Sequence, residues 1–273
     1  MNKENVLFTG SDGMLGSYFD FGIRMSRAEL DITNLSAVIA ACQEHKPDTI
    51  VHLAALTDLT VCEREPSRAY AVNAVGAYHM ALAARTIGAK LVYISTSGVF
   101  DGIKKEPYTE GDVPNPVNTY GHSKYLGELA VAGMLTDYLI VRASWLFGGG
   151  KGKDKKFVGK LLGQLRGAGI RAVADKRGSP TYAKDLARAV QDLLEEDARG
   201  VIHLGEGSAT RYDMAKEVVA ITGAPVSVEP MASEDFPSAY RSGPNESMPM
   251  SARMRPWQEA LREYLTTEWG TLE

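Results

Sequence analysis

Short, nearly unbroken apolar runs alternate with longer stretches of helical periodicity through the first half of this chain. The runs fall at residues 5–9, 49–53, 91–95 and 138–142. A strand covered on both faces reads this way, whereas a half-exposed strand alternates apolar and polar side chains. Between the runs, residues 35–44, 66–87 and 120–134 repeat apolar positions every three or four residues, as amphipathic helices do. Strands alternating with helices through right-handed crossovers predict an α/β fold built on a doubly wound parallel sheet.

The second half breaks the rhythm. A loop rich in glycine and lysine covers 148–156, and an amphipathic helix is expected over 157–166. A further helix over 181–195 carries Leu186, Val190, Leu193 and Leu194 on one face, and 201–204 reads as a last sheet strand. After it come a helix over 211–222, a short strand over 226–229, a proline-rich stretch and a terminal helix beyond Pro256. The pattern predicts a sheet domain of residues 1–146 plus 181–205, with a smaller, mostly C-terminal lobe of residues 147–180 plus 206–273.

Composition narrows the class. The 273 residues are 44% hydrophobic and 23% charged, an ordinary globular balance. A net charge of −4 argues against a nucleic-acid partner, because counterion release rewards a basic surface. Cys42 and Cys62 have no CxxC partner and read as free thiols of a reducing compartment. The N-terminus enters a strand without a secretory pattern, and no apolar run reaches the ~20 residues a bilayer span needs. A cytoplasmic location with no membrane partner is expected.

The chemistry begins after the first strand. Gly10, Asp12, Gly13, Met14, Leu15 and Gly16 belong to a GxxGxxG loop that is expected to open a helix. In a Rossmann-type sheet such glycines allow a tight turn, close backbone approach to a pyrophosphate and close helix packing. N–H groups at the helix start then face the phosphates. Asp31 and Ile32 are placed to meet an adenine, although Asp31 also reads as a helix-start residue ahead of Leu35. Arg24, Ser26 and Arg27 follow the second strand, where an arginine suits a 2′-phosphate and no carboxylate demands a free 2′-hydroxyl. The cofactor expected is NADPH, with NADH as the alternative. The run Gly148-Gly149-Gly150-Lys151-Gly152-Lys153 imitates a phosphate loop but fails GxxxxGK[ST], since Phe147 and Asp154 occupy two of its fixed positions. It reads as a basic loop able to approach an anionic substrate.

Tyr120 and Lys124 form a YxxxK spacing on one face of a helix. A tyrosine titrates near 10, so bringing it to neutrality takes about 3 units, or roughly 4 kcal/mol. A neighbouring ammonium and an oxidised nicotinamide would favour the phenolate, making Tyr120 a general acid or base. Thr96 ends a strand at the carboxyl edge of the sheet and can hold a substrate carbonyl, or, with Ser95, simply satisfy strand-end backbone. The five histidines lack metal-ligand spacing, no GxSxG elbow exists, and no motif isolates a carboxylate pair. No metal is expected.

The glycine loop, His52-Leu53-Ala54-Ala55, Asn73 with Gly76, Ser95-Thr96 and YGHSK together resemble the extended short-chain dehydrogenase/reductases. Longer strings are similar to the dTDP-4-dehydrorhamnose reductase family across nearly the whole chain. Among them are Glu29-Leu30-Asp31-Ile32-Thr33, Val141-Arg142-Ala143-Ser144-Trp145, Gly178-Ser179-Pro180-Thr181-Tyr182 and Arg255-Pro256-Trp257. The resemblance implies hydride transfer to C4 of a nucleotide-linked 4-keto-6-deoxy sugar, a sheet domain for the dinucleotide and a lobe for the substrate. It implies that Thr96 and Tyr120 hold and protonate the ketone oxygen, and that Lys124 binds the nicotinamide ribose. Leu53, Ala54, Ala55 and Asn73 would line the cofactor, and Thr57 and Ser97 the substrate. Trp145 would pack on the sugar, unless it is a core aromatic, and Arg241 would meet the pyrophosphate, unless it is a solvated surface residue. A homodimer is implied as well.

The chain departs from the family at Ser97-Gly98, where an acidic-aromatic pair is usual, and at Lys156, where an asparagine is expected. Residues 17–27 are too few for a full first helix and second strand, and only 251–254 remain for the usual helix ahead of Arg255. An epimerase or dehydratase on the same fold, or a non-catalytic nucleotide-binding regulatory subunit, are the competing readings. If Arg27 reads the 2′-phosphate, Arg27→Ala weakens NADPH binding more than NADH binding; equal losses in paired titrations would refute that role.

Overall fold

The computed structural model describes residues 2–167 and 169–270, so residues 1, 168 and 271–273 of the two ranges given above lie outside the described residues. From the N-terminus run β1 (Val6–Thr9), β2 (Ile23–Met25), α1 (Leu35–His45), β3 (Thr49–His52), α2 (Leu59–Arg64), α3 (Pro66–Tyr70), α4 (Gly76–Ile87), β4 (Lys90–Thr96), α5 (Thr119–Met134) and β5 (Tyr138–Ala143). The second half adds β6 (Leu146–Phe147), α6 (Gly150–Lys153), α7 (Phe157–Leu162), β7 (Ile170–Val173), β8 (Arg177–Gly178), β9 (Thr181–Tyr182) and α8 (Ala183–Glu195). It closes with β10 (Gly200–His203), β11 (Ala209–Thr210), α9 (Arg211–Thr222), β12 (Val228–Met231) and α10 (Trp257–Thr267).

The apolar runs pair into one six-stranded sheet in the order β10-β5-β4-β3-β1-β2, parallel throughout. Alternate residues of each strand feed opposite faces, as a period of two requires. Leu7, Ile50, Leu91 and Tyr93 meet Val38 of α1 and Met80 of α4 on one face. Phe8, Val51, Val92 and Val141 meet Leu186, Val190 and Leu193 of α8 on the other. The chain steps from β1 outward to β2 and then back past β1 to β3. Progress across the sheet reverses there, and the loops after β1 and β3 flank the crevice that such a reversal opens.

The helix expected after the glycine loop is not formed; a three-residue 3-10 turn, Gly16–Tyr18, stands in its place. The arithmetic explains this. Residues 10–16 make the loop, leaving 17–22 to return along a four-residue strand that rises ~13 Å. Six helical residues cover only ~9 Å, while an extended segment covers ~20 Å. The exposed face is sealed by aromatics instead: Phe19 and Phe21 lie on Phe8 at centroid distances of 4.6 and 5.3 Å.

Other boundaries shift in smaller ways. The helix expected over 66–87 is broken by a π turn at Ala71–Val75, which carries Asn73. The one expected over 157–166 stops at Leu162, and residues 251–254 form a turn rather than a helix. In the lobe, Phe147, Tyr182, Met214, Val218, Trp257, Leu261 and Tyr264 build a separate apolar core. Among the described residues no helix is long and apolar enough to cross a membrane.

A buried ion pair fixes α5 to the sheet. Arg142 donates from Nε and Nη2 to the two oxygens of Glu128 at 2.9 and 2.6 Å, and both side chains are 4% exposed. Removing one partner strands the other charge in a dry site. Glu128→Ala is expected to lower the unfolding free energy by about 3–5 kcal/mol, measured by urea denaturation. A loss below about 1 kcal/mol would show that the pair does not hold α5.

Candidate active site

The crevice between β1 and β3 is shaped by glycines. Gly10 adopts φ +66°, and a Cβ on it would lie 2.8 Å from the Ala54 backbone. A Cβ on Gly16 would lie 2.7 Å from the carbonyl of Gly10. The loop is tied to β2: Ser11 N donates to Met25 O at 3.2 Å, and Arg24 donates to the carbonyls of Ser11 and Gly16 at 3.2 and 3.4 Å. Asp12 and Gly13 are exposed, Met14 is half-buried, and Leu15 enters the core. Arg24 is thereby engaged with the loop, leaving Arg27 exposed beside Asp31 at the end of β2.

Asp31 does not cap α1. Its Oδ1 accepts from Thr33 N and Oγ1 at 2.9 and 2.7 Å, which holds the carboxyl below its usual range, while Asn34 caps the helix through Ala37 N. Ile32 is buried against Gly76, and its carbonyl is 2.9 Å from His79 Nδ1. Leu53, Ala54 and Ala55 are half-buried after β3. Asn73 does not face the crevice with a free amide. It is buried, accepts from Leu56 N at 2.8 Å, and donates to Leu56 O and Ser123 Oγ at 3.0 Å each. It therefore clamps the loop after β3 to α5, as a positioning residue.

Asn118 caps α5 by accepting from Gly121 N at 2.8 Å, which sets Tyr120 and Lys124 in its first two turns. The helix presses directly on the end of β4. A Cβ on Gly121 would lie 1.9 Å from the carbonyl of Gly98, and one on Gly127 would lie 2.3 Å from the Tyr93 hydroxyl. This contact brings the Tyr120 ring beside Thr96. Thr96 Oγ1 accepts from Gly98 N at 3.0 Å. A Cβ on Gly98 would meet Thr96 Oγ1 at 3.4 Å and Tyr120 Cδ1 at 3.7 Å, ordinary contact distances. Gly98 thus leaves room over the tyrosine. Ser97 does not share that space: it is 1% exposed, and its hydroxyl donates to Ser144 Oγ at 2.8 Å.

The electrostatics run opposite to the sequence expectation. Burial pushes the Tyr120 phenol up to about 12, with a hydrogen bond from Thr96 pulling the other way. Burial also brings Lys124 down to about 7, against the pull of Glu128. Lys124 is 2% exposed, donates from Nζ to Ile94 O at 2.7 Å, and stands 3.9 Å over the Tyr93 ring. In the protein alone Lys124 does not acidify the phenol.

Across the cleft, Trp145 adopts φ +40°, a left-handed conformation that costs a bulky residue about 1–3 kcal/mol and is retained where packing dictates it. Its ring abuts Gly178 and carries the Arg211 guanidinium 3.7 Å from its centroid, so it is a packed, half-buried aromatic. Arg211 also lies 4.6 Å from the Phe157 ring, and burial lowers its pKa to about 10. Burial raises the nearby Glu246 carboxyl against the pull of Arg211, Lys176 and Trp145. Sequence reading missed Arg211 and Glu246. Arg211 left a signal: a cation on the first residue of a helix opposes the dipole and needs another reason to be there. Arg241 is exposed and lines a cleft with Glu63, Val117 and Tyr240, its carbonyl accepting from the cap residue Asn118 at 2.9 Å. Thr57 is exposed and receives two bonds from Lys156 Nζ, at 2.9 and 3.0 Å.

These residues fit a nicotinamide dinucleotide. The glycine loop excludes side chains where backbone must meet phosphate, and the Lys124 ammonium, which can donate three bonds, gives one to Ile94 O. Comparison with known proteins agrees. A family model described as the RmlD substrate binding domain matches residues 4–268. A dTDP-4-dehydrorhamnose reductase of Mycobacterium tuberculosis is 34% identical over 95% of this chain and 91% of its own length. A dTDP-4-keto-6-deoxy-D-glucose reductase of Streptomyces niveus is 38% identical over 84% of this chain and 82% of its own length. The crystal structure of a Bacillus anthracis dTDP-4-dehydrorhamnose reductase in complex with NADP superposes with a TM-score of 0.91 at 35% identity, covering 97% of this chain and 99% of that one. With its parallel sheet, its glycine crevice and its Thr96–Tyr120–Lys124 grouping, the chain belongs to the dTDP-4-dehydrorhamnose reductase family of extended short-chain dehydrogenase/reductases.

Proposed function

We propose that this chain is an NAD(P)H-dependent oxidoreductase that reduces the C4 ketone of a nucleotide-linked 4-keto-6-deoxy sugar, in the manner of dTDP-rhamnose biosynthesis. The observation that carries the reading is the Tyr120 ring set beside the Thr96 hydroxyl, at the carboxyl edge of β4 and next to the glycine crevice. The relatives named above reduce substrates of this class by their names, and one related structure holds NADP. We assign residues 1–146 with 181–205 to the dinucleotide and residues 147–180 with 206–273 to the substrate; across those bounds, Tyr182 joins the core of the lobe and Met254 packs on the sheet. Free Cys42 and Cys62 suit a reducing, cytoplasmic setting.

The bound dinucleotide supplies the hydride; the chain supplies position and a proton. Thr96 Oγ1 orients the ketone oxygen, and Tyr120 Oη gives it a proton as negative charge develops there. A phenol whose pKa is raised is in the right form for this direction. Its conjugate base is then stabilised by Lys124, whose ammonium regains favour as soon as an anion forms beside it. Arg241 and Arg211 are placed for the diphosphate of the sugar nucleotide, and the room over Gly98 admits the sugar ring beside Tyr120. We assign Thr57 and Trp145 to the same substrate.

A panel of nucleotide-linked 4-keto sugars, followed by loss of NADPH absorbance, tests the reading; no turnover with any of them would overturn it. Tyr120→Phe is expected to lower turnover by about 10²–10⁴-fold while NADPH affinity stays within a few-fold. A near-normal rate would remove Tyr120 from the mechanism.

Lys124 gives a separate pH test. Its folded pKa of about 7 lies below the unfolded value of 10.5, so the unfolded chain holds more protons between those limits. The destabilisation from the buried ammonium is full below about pH 7 and fades as pH rises towards 10.5. Relative to Lys124→Met, the wild-type chain should therefore gain roughly 1–3 kcal/mol of stability between pH 7 and pH 9. Parallel urea-stability curves for the two proteins would refute the depressed pKa.

A further inference from the structure

The glycine loop runs into a three-residue turn, so it lacks the row of aligned N–H dipoles that a long helix would turn towards an anion. A cation from the lobe stands at the same place. Lys153, the last residue of α6, donates from Nζ to the carbonyl of Asp12 at 2.6 Å. Asp12 directly precedes Gly13, and consecutive Cα atoms are about 3.8 Å apart, so the ammonium lies within one residue's length of the middle of the loop.

The chain is built to hold it there. Gly148, Gly149 and Gly150 have φ of +139°, +78° and +59°, a path that side chains other than glycine's rarely follow. Gly149 N donates to the Tyr18 hydroxyl at 2.6 Å, and that hydroxyl donates to Glu268 at 2.7 Å. Burial and the adjacent carboxylate push the Tyr18 phenol up, so it remains a donor. Tyr18 is the final residue of the turn that replaces the helix. The basic run that imitates a phosphate loop in sequence is thus fastened, by its glycines, to the true glycine loop.

We propose that Lys153 binds the diphosphate of the nicotinamide dinucleotide, exchanging the neutral Asp12 carbonyl for a phosphate oxygen and taking over the part of the missing helix. A bond from the ammonium to an anionic phosphate oxygen is stronger than its bond to a neutral carbonyl, and the side chain is exposed. The inference rests on the reading that this chain binds a nicotinamide dinucleotide. The diphosphate of the sugar nucleotide offers the same chemistry, but the contact with the glycine loop favours the dinucleotide.

The test measures binding, not turnover. NADPH and NADH are titrated by fluorescence and thymidine diphosphate by calorimetry, against the full chain. Lys153→Met should weaken both dinucleotides about tenfold, Lys153→Arg should restore most of the affinity, and thymidine diphosphate binding should not change. The gap between wild type and Lys153→Met should narrow with added salt, which screens an exposed charge. Unchanged NADPH affinity in Lys153→Met overturns the inference. So does a loss confined to thymidine diphosphate, or one that strikes both ligand classes equally. A wild-type chain that binds neither dinucleotide would instead overturn the functional reading, and the inference with it.

Discussion

The close approach of α5 to the end of β4 is the constraint on which the site depends. Two glycines on one helix, Gly121 and Gly127, remove the side chains that would otherwise hold α5 away from Gly98 and Tyr93. Everything catalytic follows from that distance. Tyr120 reaches Thr96 because the first turn of the helix sits on the carbonyl of Gly98. Lys124 reaches Ile94 and the Tyr93 ring because the second turn lies equally low. The Arg142–Glu128 pair and the Asn73 clamp then hold the helix against the sheet and the neighbouring loop. Such packing is what a proton donor needs, since catalytic geometry tolerates errors of only about 0.5 Å.

Much of the fold was legible in the sequence because the sheet is buried on both faces and advertises itself as continuous apolar runs. The glycine loop and the YxxxK spacing were legible because close backbone approach and a shared helical face impose fixed intervals. The shortness of residues 17–27 announced an abbreviated first helix, and only a three-residue 3-10 turn is left of it, because the few residues after the glycine loop must also return along the strand. Asn73 and Ser97 were given ligand contacts on family grounds, and both turn out to spend their polar groups on neighbouring backbone or hydroxyls. Nothing in a linear pattern shows which partner a buried amide has found. The sign of the Tyr120 shift was illegible for the same reason, since desolvation depends on what packs around the ring.

The lobe places charge where apolar packing would be expected. Arg211 lies on the Trp145 ring with Glu246 nearby, while Lys156 bonds Thr57 and Arg241 is exposed. With the overall charge at −4, these cations are local features rather than a property of the whole surface. It suits an anionic ligand whose reacting end is a neutral sugar. Gly98 opens space beside the Tyr120 ring.

The hydroxyl of Tyr18 has a consequence for the order of assembly. It joins the turn after the first strand to Glu268, 250 residues later, and Tyr182 meets the same carboxylate. Contacts of such separation are made late, because the whole intervening loop must be closed first. The crevice therefore gains its last brace only when the end of α10 docks against Tyr18.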